Sequence, residues 1–255
     1  MGQVERRRQI SARVQRAGEV AVTELAREFG VSAMTIRRDL RELEQRRQLT
    51  RTHGGAISQM PSAWREPSLA ARIDDHAEAK RRIARAVVAD LVDGERVFIG
   101  SGSTALAVAD VVAEQERSLT VVTNALTVAN ALSGCPTTEL VVIGGFLRPE
   151  EQSLIGHLAE AALVDLRVDR AIMGMRGVDA DHGLTADNLS ELATDRAIIG
   201  ISEQLTVVVD PSKFGRVAVG RTAPASAASL IVTTTDAPPE PVAALLALGV
   251  DVRQV

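Results

Sequence analysis

Tyrosine is absent from the 255 residues, and the other aromatics amount to four Phe and one Trp. So few rings exclude the stacking platforms that usually hold RNA bases and single-stranded DNA, and they leave little for an aromatic sugar-binding face. Cysteine is represented by Cys135 alone. A solitary thiol excludes an intrachain disulfide and a Cys-x-x-Cys metal or redox centre, and its expected place is a small niche in the core. No stretch approaches the ~18 consecutive apolar residues of a membrane span, and residues 1–19 lack the apolar segment of a secretion signal. A cytoplasmic location is expected, with no membrane partner. At 45% hydrophobic and 24% charged, the chain is neither disordered nor collagen-like nor a coiled coil, and its length suits one large domain or a small one plus a medium one.

Lysine is missing from residues 1–57, which instead carry 12 arginines against seven acids, a charge of +5. The remainder holds 17 basic and 26 acidic residues, or −9. The net charge of −4, which read whole argues against a nucleic-acid partner, therefore averages a basic head with an acidic body. Such asymmetry points to nucleic-acid binding by the basic part. Between the two, residues 58–67 read SQMPSAWREP, with two prolines, two serines and an unpatterned Trp64. Prolines interrupt helix and sheet alike, so a linker is expected there, with domains at 1–57 and 68–255.

In the head, Leu25, Ala26 and Phe29 fall on one face of a helix over residues 23–29. Gly30 ends it, and Ser32 caps a second helix over about 33–46. Ile36, Leu40 and Leu43 form the inward stripe of that second helix. Ala33, Met34, Thr35, Arg37, Arg38 and Arg41 then lie toward its N-terminal end or its outer faces, where a helix in a major groove places its base-reading and phosphate-clamping groups. Residues 48–51, with Arg51, and 54–57 alternate as a hairpin around His53 and Gly54, the wing of a winged helix. His53 suits a wing-tip backbone contact and a plain turn equally.

The string VTELAREFGVSAMTIRRDLRELE, followed by LTRTHGGAI, resembles the helix-turn-helix of the DeoR family of bacterial transcription regulators, whose signature includes the TIRRDL core and the HGG wing. The family usually has Gly before the wing strand, where this chain has Arg47. The resemblance extends over nearly the whole chain and implies double-stranded operator DNA as a partner.

From Ser68, Leu69, Ile73, Ile83, Val87, Val88 and Leu91 recur at mostly helical spacing until Asp93 and Gly94. Short apolar segments at 97–99, 119–122, 140–143, 171–173, 206–209 and 230–232 then alternate with helical stretches at 105–112, 126–132, 157–166 and 189–201. That alternation predicts an α/β fold with a Rossmann-like parallel sheet covered on both faces.

The first strand leads through Gly100, Ser101, Gly102, Ser103 and Thr104 into a helix, and the amides of a helix N-terminus make such a turn an anion site. Gly100, Gly102 and Ala105 satisfy GxGxxA. A dinucleotide fold also wants an acid about 20 residues on, where Thr123 and Asn124 stand, which argues against NAD, and no cofactor is expected. The hydroxyls suit a compact phosphate monoester instead, the alternative being a structural turn that binds nothing. Thr123 and Asn124, at the end of the next strand, suit sugar hydroxyls or a helix cap; Gly144 and Gly145 allow close ligand approach or merely turn the chain. Asp179, Asp181, Gly183 and Thr185 read as a polar loop. Glu191 and Asp195 stand one helical turn apart, a spacing more common on a solvated face than in catalysis. Lys213, in DPSKFG, faces a phosphate or the solvent.

The resemblance implies a C-terminal sensor similar in fold to ribose-5-phosphate isomerase, binding a phosphorylated sugar or related metabolite. GSGST would take the phosphate, and Asn124, Gly145, Gly183, Glu191 and Lys213 would line the pocket. Two departures stand out. The family's loop commonly begins with Asp and reads GTT, where this chain has Ile99 and GST; the family's EAxxK becomes Glu191 to Asp195, an acid in place of lysine. The expectation is a transcription regulator, at least dimeric through its body, with no catalytic residue and no metal. The alternative is a sugar-phosphate isomerase carrying a DNA-binding head. Against it, HGLTADNLSELATDR lacks the isomerase's glycine-rich lysine segment.

Overall fold

The computed structural model describes residues 2–46, 48–57 and 68–255. The expected linker at 58–67, Trp64 and the Arg47 departure lie outside them. The chain divides into two compact units, Met1–Ser68 and Leu69–Val255.

In the first unit, α1 (Gln3–Ala17) and β1 (Glu19–Ala21) precede the expected pair, α2 (Val22–Phe29) and α3 (Ala33–Gln45). The wing follows as β2 (Thr50–Arg51) and β3 (Gly55–Ile57). Gly30 takes the left-handed conformation that ends α2, and the Ser32 side chain accepts the Thr35 amide at the start of α3. Ile36, Leu40 and Leu43 are buried with Ile10, Val14, Leu25 and Leu49 in one core. The wing is wider than the sequence predicts. β3 pairs with β1 on one side and β2 on the other, so the hairpin is anchored to the strand before α2. Gly55 permits this approach, because a Cβ there would meet Val20 O at 2.1 Å.

α1 escapes the sequence reading because its apolar stripe is thin and its surface rich in arginine. What fastens it is charge. Asp39 is fully buried in α3 and accepts from Arg6 Nε at 2.7 Å and Arg7 Nε at 2.8 Å. The acid of the TIRRDL core therefore bolts two helices together, while its neighbours Arg37, Arg38 and Arg41 stay exposed.

The second unit begins with α4 (Leu69–Ile73) and α5 (Ala77–Ala89). The run expected to be one helix breaks at His76, which is left-handed with φ 52°, and Lys80 donates across the break to the Arg72 and Asp75 carbonyls. Alternating units follow: β4 (Arg96–Ile99), α6 (Ser103–Glu114), β5 (Leu119–Thr123), α7 (Leu126–Leu132), β6 (Thr138–Val142), a hairpin of β7 (Phe146–Arg148) and β8 (Ser153–Ile155), α8 (His157–Leu163) and β9 (Val168–Met173). A second hairpin, β10 (Gly177–Asp179) and β11 (Gly183–Ala186), leads to α9 (Leu192–Gly200), β12 (Ser202–Val208), β13 (Gly220–Ala223), β14 (Leu230–Thr233), α10 (Pro239–Ala247) and β15 (Asp251–Gln254).

Among the described residues, the main sheet is parallel with order β15-β14-β12-β9-β4-β5-β6. Apolar clusters lie on its two faces, the double cover that near-continuous apolar strands require. The order reverses between β4 and β9: the chain first builds β4, β5 and β6 to one side, then returns to build β9, β12, β14 and β15 on the other. Open α/β sheets bind ligands outside the carboxyl ends of the strands at such a switch point.

Two expectations need correction. Residues 179–185 are an antiparallel hairpin, not a loop, because Thr185, Gly177 and Asp179 engage in ladder pairing and β11 continues to β13. Cys135 is half-buried in the turn after α7, not in a core niche. Its thiol is within 3.3 Å of Thr137 Oγ1 and accepts from Thr138 Oγ1, bonds that hold its pKa below the ordinary thiol value.

Candidate functional site

In the head, the Ser32 and Thr35 hydroxyls lie 2.9 Å apart, and Ser32 also accepts the Thr35 amide. Both serve the cap, and Ala33 is half-buried against the core. The free surface at the start of α3 is thus Met34, 72% exposed, with Arg37, Arg38 and Arg41 behind it. Among the described residues no ion pair engages these three arginines, whereas Arg6 and Arg7 are held by Asp39. Arg51 is less free: its amide donates to Glu44 Oε1 at 2.9 Å, and its guanidinium lies 3.6 Å from Glu44 Oε2. His53 and Gly54 are exposed at the wing tip, with the Gly54 carbonyl accepting Val22 N.

In the body, GSGST follows β4 at the switch point. Gly102 has φ +108°, which favours glycine, and delivers the chain into α6 so that the first amides of the helix emerge from the loop. Ser103 and Thr104 are buried, yet among the described residues no hydrogen bond engages their hydroxyls or that of Ser101. A Cβ on Gly102 would lie 4.0 Å from Glu151 Oε2. Glu151, buried in the β7–β8 turn, pairs with Arg72 of α4.

Around this pair lies a charged cluster drawn from distant segments. Arg72 senses Arg176, Glu191, Asp187 and Asp210, and Lys80 senses Asp210 and Lys213. Burial, with Arg176 nearby, lowers the Arg72 pKa to about 10. Burial likewise lowers Lys80 and Lys213. Lys213 is thus no ordinary surface lysine: its Nζ lies 3.5 Å from Asp210 Oδ2 and donates to Ser212 Oγ at 3.0 Å. The cost of burial would raise Asp210, but the Ser212 hydroxyl and Lys213 outweigh it and hold it below its usual value. Lys80 and Lys213 are the chain's two lysines, and both belong to this cluster.

Glu191 is not on a solvated face. It stands at the N-cap position of α9, pairs with buried Arg148 and accepts from Ser153 Oγ at 3.4 Å. Burial raises its pKa, with Arg148 opposing. Asp195, one turn on, is pushed up to about 8 by burial and the Glu191 charge, against Arg148. Between the ordinary 3.8 and about 8, the folded body therefore holds a proton that the unfolded chain has released. Stability falls as pH rises through that window. Asp195→Asn is expected to melt progressively higher than the native protein as pH climbs from 4 to 8, with the gap closing below pH 4. Parallel melting curves across that range would remove Asp195 as the source.

Of the remaining positions, Thr123 belongs to the frame: its hydroxyl donates to Ile99 O at 2.7 Å and accepts Ala125 N at 3.0 Å, tying β4 to β5. Asn124 donates to Leu154 O at 3.1 Å, and its Oδ1 is buried without a partner among the described residues. Gly144 is exposed; Gly145 packs against Ile155. Gly183 stands in the β10–β11 hairpin, where a Cβ would meet Ala223 O at 2.3 Å. Arg72, Lys80, Arg148, Glu151, Arg176 and Asp210 were missed, since no local spacing links them.

A winged helix-turn-helix with exposed arginines and a separate parallel-sheet domain, in one chain, are the architecture of a transcription regulator. Residues 6–61 match the DeoR-like helix-turn-helix domain and residues 75–235 the DeoR C-terminal sensor domain. The chain belongs to the DeoR family of transcription regulators. It is 37% identical to the glycerol-3-phosphate regulon repressor of Escherichia coli K12, over 94% of this chain and 93% of that one. With the lactose phosphotransferase system repressor of Staphylococcus epidermidis it shares 31% identity over 85% and 86%. Among solved structures, ribose-5-phosphate isomerase A of Methanocaldococcus jannaschii matches 55% of each chain at 18% identity and a TM-score of 0.40; nothing of the isomerase's chemistry follows from that. Among the described residues no helix is long and apolar enough to cross a membrane.

Proposed function

We propose that the protein represses a carbohydrate-metabolism operon and that a phosphorylated sugar or related metabolite, bound at the switch point, sets its grip on the operator. The observation that carries this reading is the GSGST turn with unengaged hydroxyls beside buried Lys80 and the half-buried cations Arg72 and Lys213. Loop amides and hydroxyls suit the phosphate oxygens, the cations its charge. Asn124, with a free acceptor, and Gly145 suit the sugar side. The names of the relatives, repressors of glycerol-3-phosphate and lactose systems, support the same class. The protein acts as a homo-oligomer and performs no catalysis: the acids of the cluster are committed to ion pairs, Asp195 excepted.

An effector changes operator affinity only through unequal affinity for two states of the protein. The test is to select a binding fragment from a random-sequence DNA pool and titrate the complex with a panel of sugar phosphates, following anisotropy and protein melting. A shift in both with one of them is expected. If no sugar phosphate moves either, the sensor reading fails; conversion of ribose 5-phosphate to ribulose 5-phosphate would favour the isomerase instead.

On DNA, the free face of α3 suits the major groove and its arginines the phosphates. Arg38→Ala is expected to weaken binding and to flatten the slope of log affinity against log salt by about one. An unchanged affinity and slope would take Arg38 out of the phosphate contacts.

A further inference from the structure

The two edges of the body's sheet are built differently. β15 reads Asp251, Val252, Arg253, Gln254, and Arg253 is tied to Asp90, the residue that follows α5. Charged side chains are how natural sheets blunt an open edge. β6, at the opposite edge, reads Thr138, Glu139, Leu140, Val141, Val142 and pairs only with β5 among the described residues. It has no lysine, arginine or proline, and Glu139 is engaged by Thr120 of β5.

Val141 and Val142 point to opposite faces of the sheet, yet both are exposed, and the chain continues through exposed Phe146 and Leu147 to exposed Leu158 on α8. These five are 37–58% exposed. The Phe146 ring lies 5.4 Å from that of His157, which places the start of α8 beside β7. Such a surface amounts to roughly 400 Å² of apolar area per copy, within the about 300–600 Å² of a monomer's largest patch, which is often a functional surface.

We propose that β6 and the adjoining Phe146, Leu147 and Leu158 form the face through which two copies of this chain associate, with β6 pairing antiparallel to its own copy across a two-fold axis. Three observations favour a second copy over another occupant. The free backbone edge needs a strand, and this face contains one to offer in return, which makes it self-complementary in the way an isologous interface requires. The patch lacks cations, so neither nucleic acid nor an anionic membrane fits it. Doubled across the axis, the apolar area approaches the about 1,000 Å² of a specific interface before the backbone hydrogen bonds are added. The register avoids Glu139 meeting itself: with Leu140 opposite Leu140, each Glu139 faces Val141 of the partner copy.

The proposal draws on the regulator reading only for its need of two heads, and the test uses neither DNA nor effector, so the two readings fail separately. The full chain is weighed by sedimentation at micromolar concentration. The native protein is expected at twice the 27.1 kDa chain mass, or a multiple of it. Val142→Lys and Leu147→Glu should each lower the mass at least twofold, with melting of the body retained because both side chains are already half exposed. If either variant fails to fold, single cysteines placed from 139 to 142 in a Cys135→Ser background decide the matter, since a two-fold sets one β6 position opposite itself and mild oxidation should link the copies there. A native chain at 27.1 kDa overturns the proposal; if that monomer then binds neutral lipid vesicles, the face belongs to a membrane. A multimer whose mass neither variant alters, and which no cysteine links, overturns it in favour of another surface.

Discussion

Asp39→Ala is expected to unfold the head and abolish operator binding while the body still melts at its native temperature. Asp39 is buried between Arg6 and Arg7, and its removal leaves two guanidinium groups facing each other with their shared anion gone. Breaking a buried pair by removing one partner costs about 3–5 kcal/mol. A unit of this size buries a modest core, and a loss of that order is much of its stability. Calorimetry on the full chain should show the head's transition lost or moved far down and the body's unmoved. Asp39→Asn, which keeps the shape and one acceptor, should fall between. If the alanine variant retains both the head transition and operator affinity, the Arg6–Asp39–Arg7 bolt is not what holds α1 in place.

The second large effect is expected at Thr104. Valine keeps the shape of the side chain and replaces the hydroxyl by a methyl, at a buried residue whose hydroxyl is bonded to nothing among the described residues. The fold therefore loses little. A phosphate loses a hydrogen bond to a charged group, about 1.5–3 kcal/mol, or roughly 10- to 100-fold in affinity. Thr104→Val should bind operator as the native protein does and respond to the effector weakly or not at all at concentrations that saturate the native sensor. A variant with a normal response would remove GSGST from the phosphate contacts, whichever metabolite proves active.

The two variants touch the parts of the molecule that the sequence disclosed most and least well. The helix-turn-helix was legible because its evidence is local: Ile36, Leu40 and Leu43 at helical spacing, Ser32 positioned to cap, Gly30 to end a helix. GSGST was legible for the same reason, as a glycine-rich step from an apolar strand into a helix. Asp39, in the same short string, was not understood. Its role depends on Arg6 and Arg7, more than 30 residues away, and no periodicity links a buried acid to two arginines on a helix whose own apolar stripe is thin.

The β10–β11–β13 sheet was hidden for a related reason. Its strands are three or four residues long, rich in glycine, threonine and alanine, and β11 finds β13 across α9 and β12. Thr123 shows the opposite error. It stands where a ligand group was expected, at the carboxyl end of a strand, but its hydroxyl is spent on Ile99 and Ala125. Position along the chain could not distinguish a hydroxyl offered to a ligand from one already used by the frame.

Charge separation, the helix-turn-helix, the alternation of strands and helices and the family were determined by the sequence alone, since each rests on composition or on spacing within a few turns. Tertiary structure decided the sheet order, and with it that GSGST lies at the point where the order reverses. It also decided that Arg72, Lys80, Glu151, Glu191, Asp210 and Lys213 share one buried or half-buried cluster. The physical reason is that burial and Coulomb interaction act through space: they shift a proton on Asp195 or hold Lys213 against Asp210 according to what the fold brings near, and local sequence carries no record of that distance.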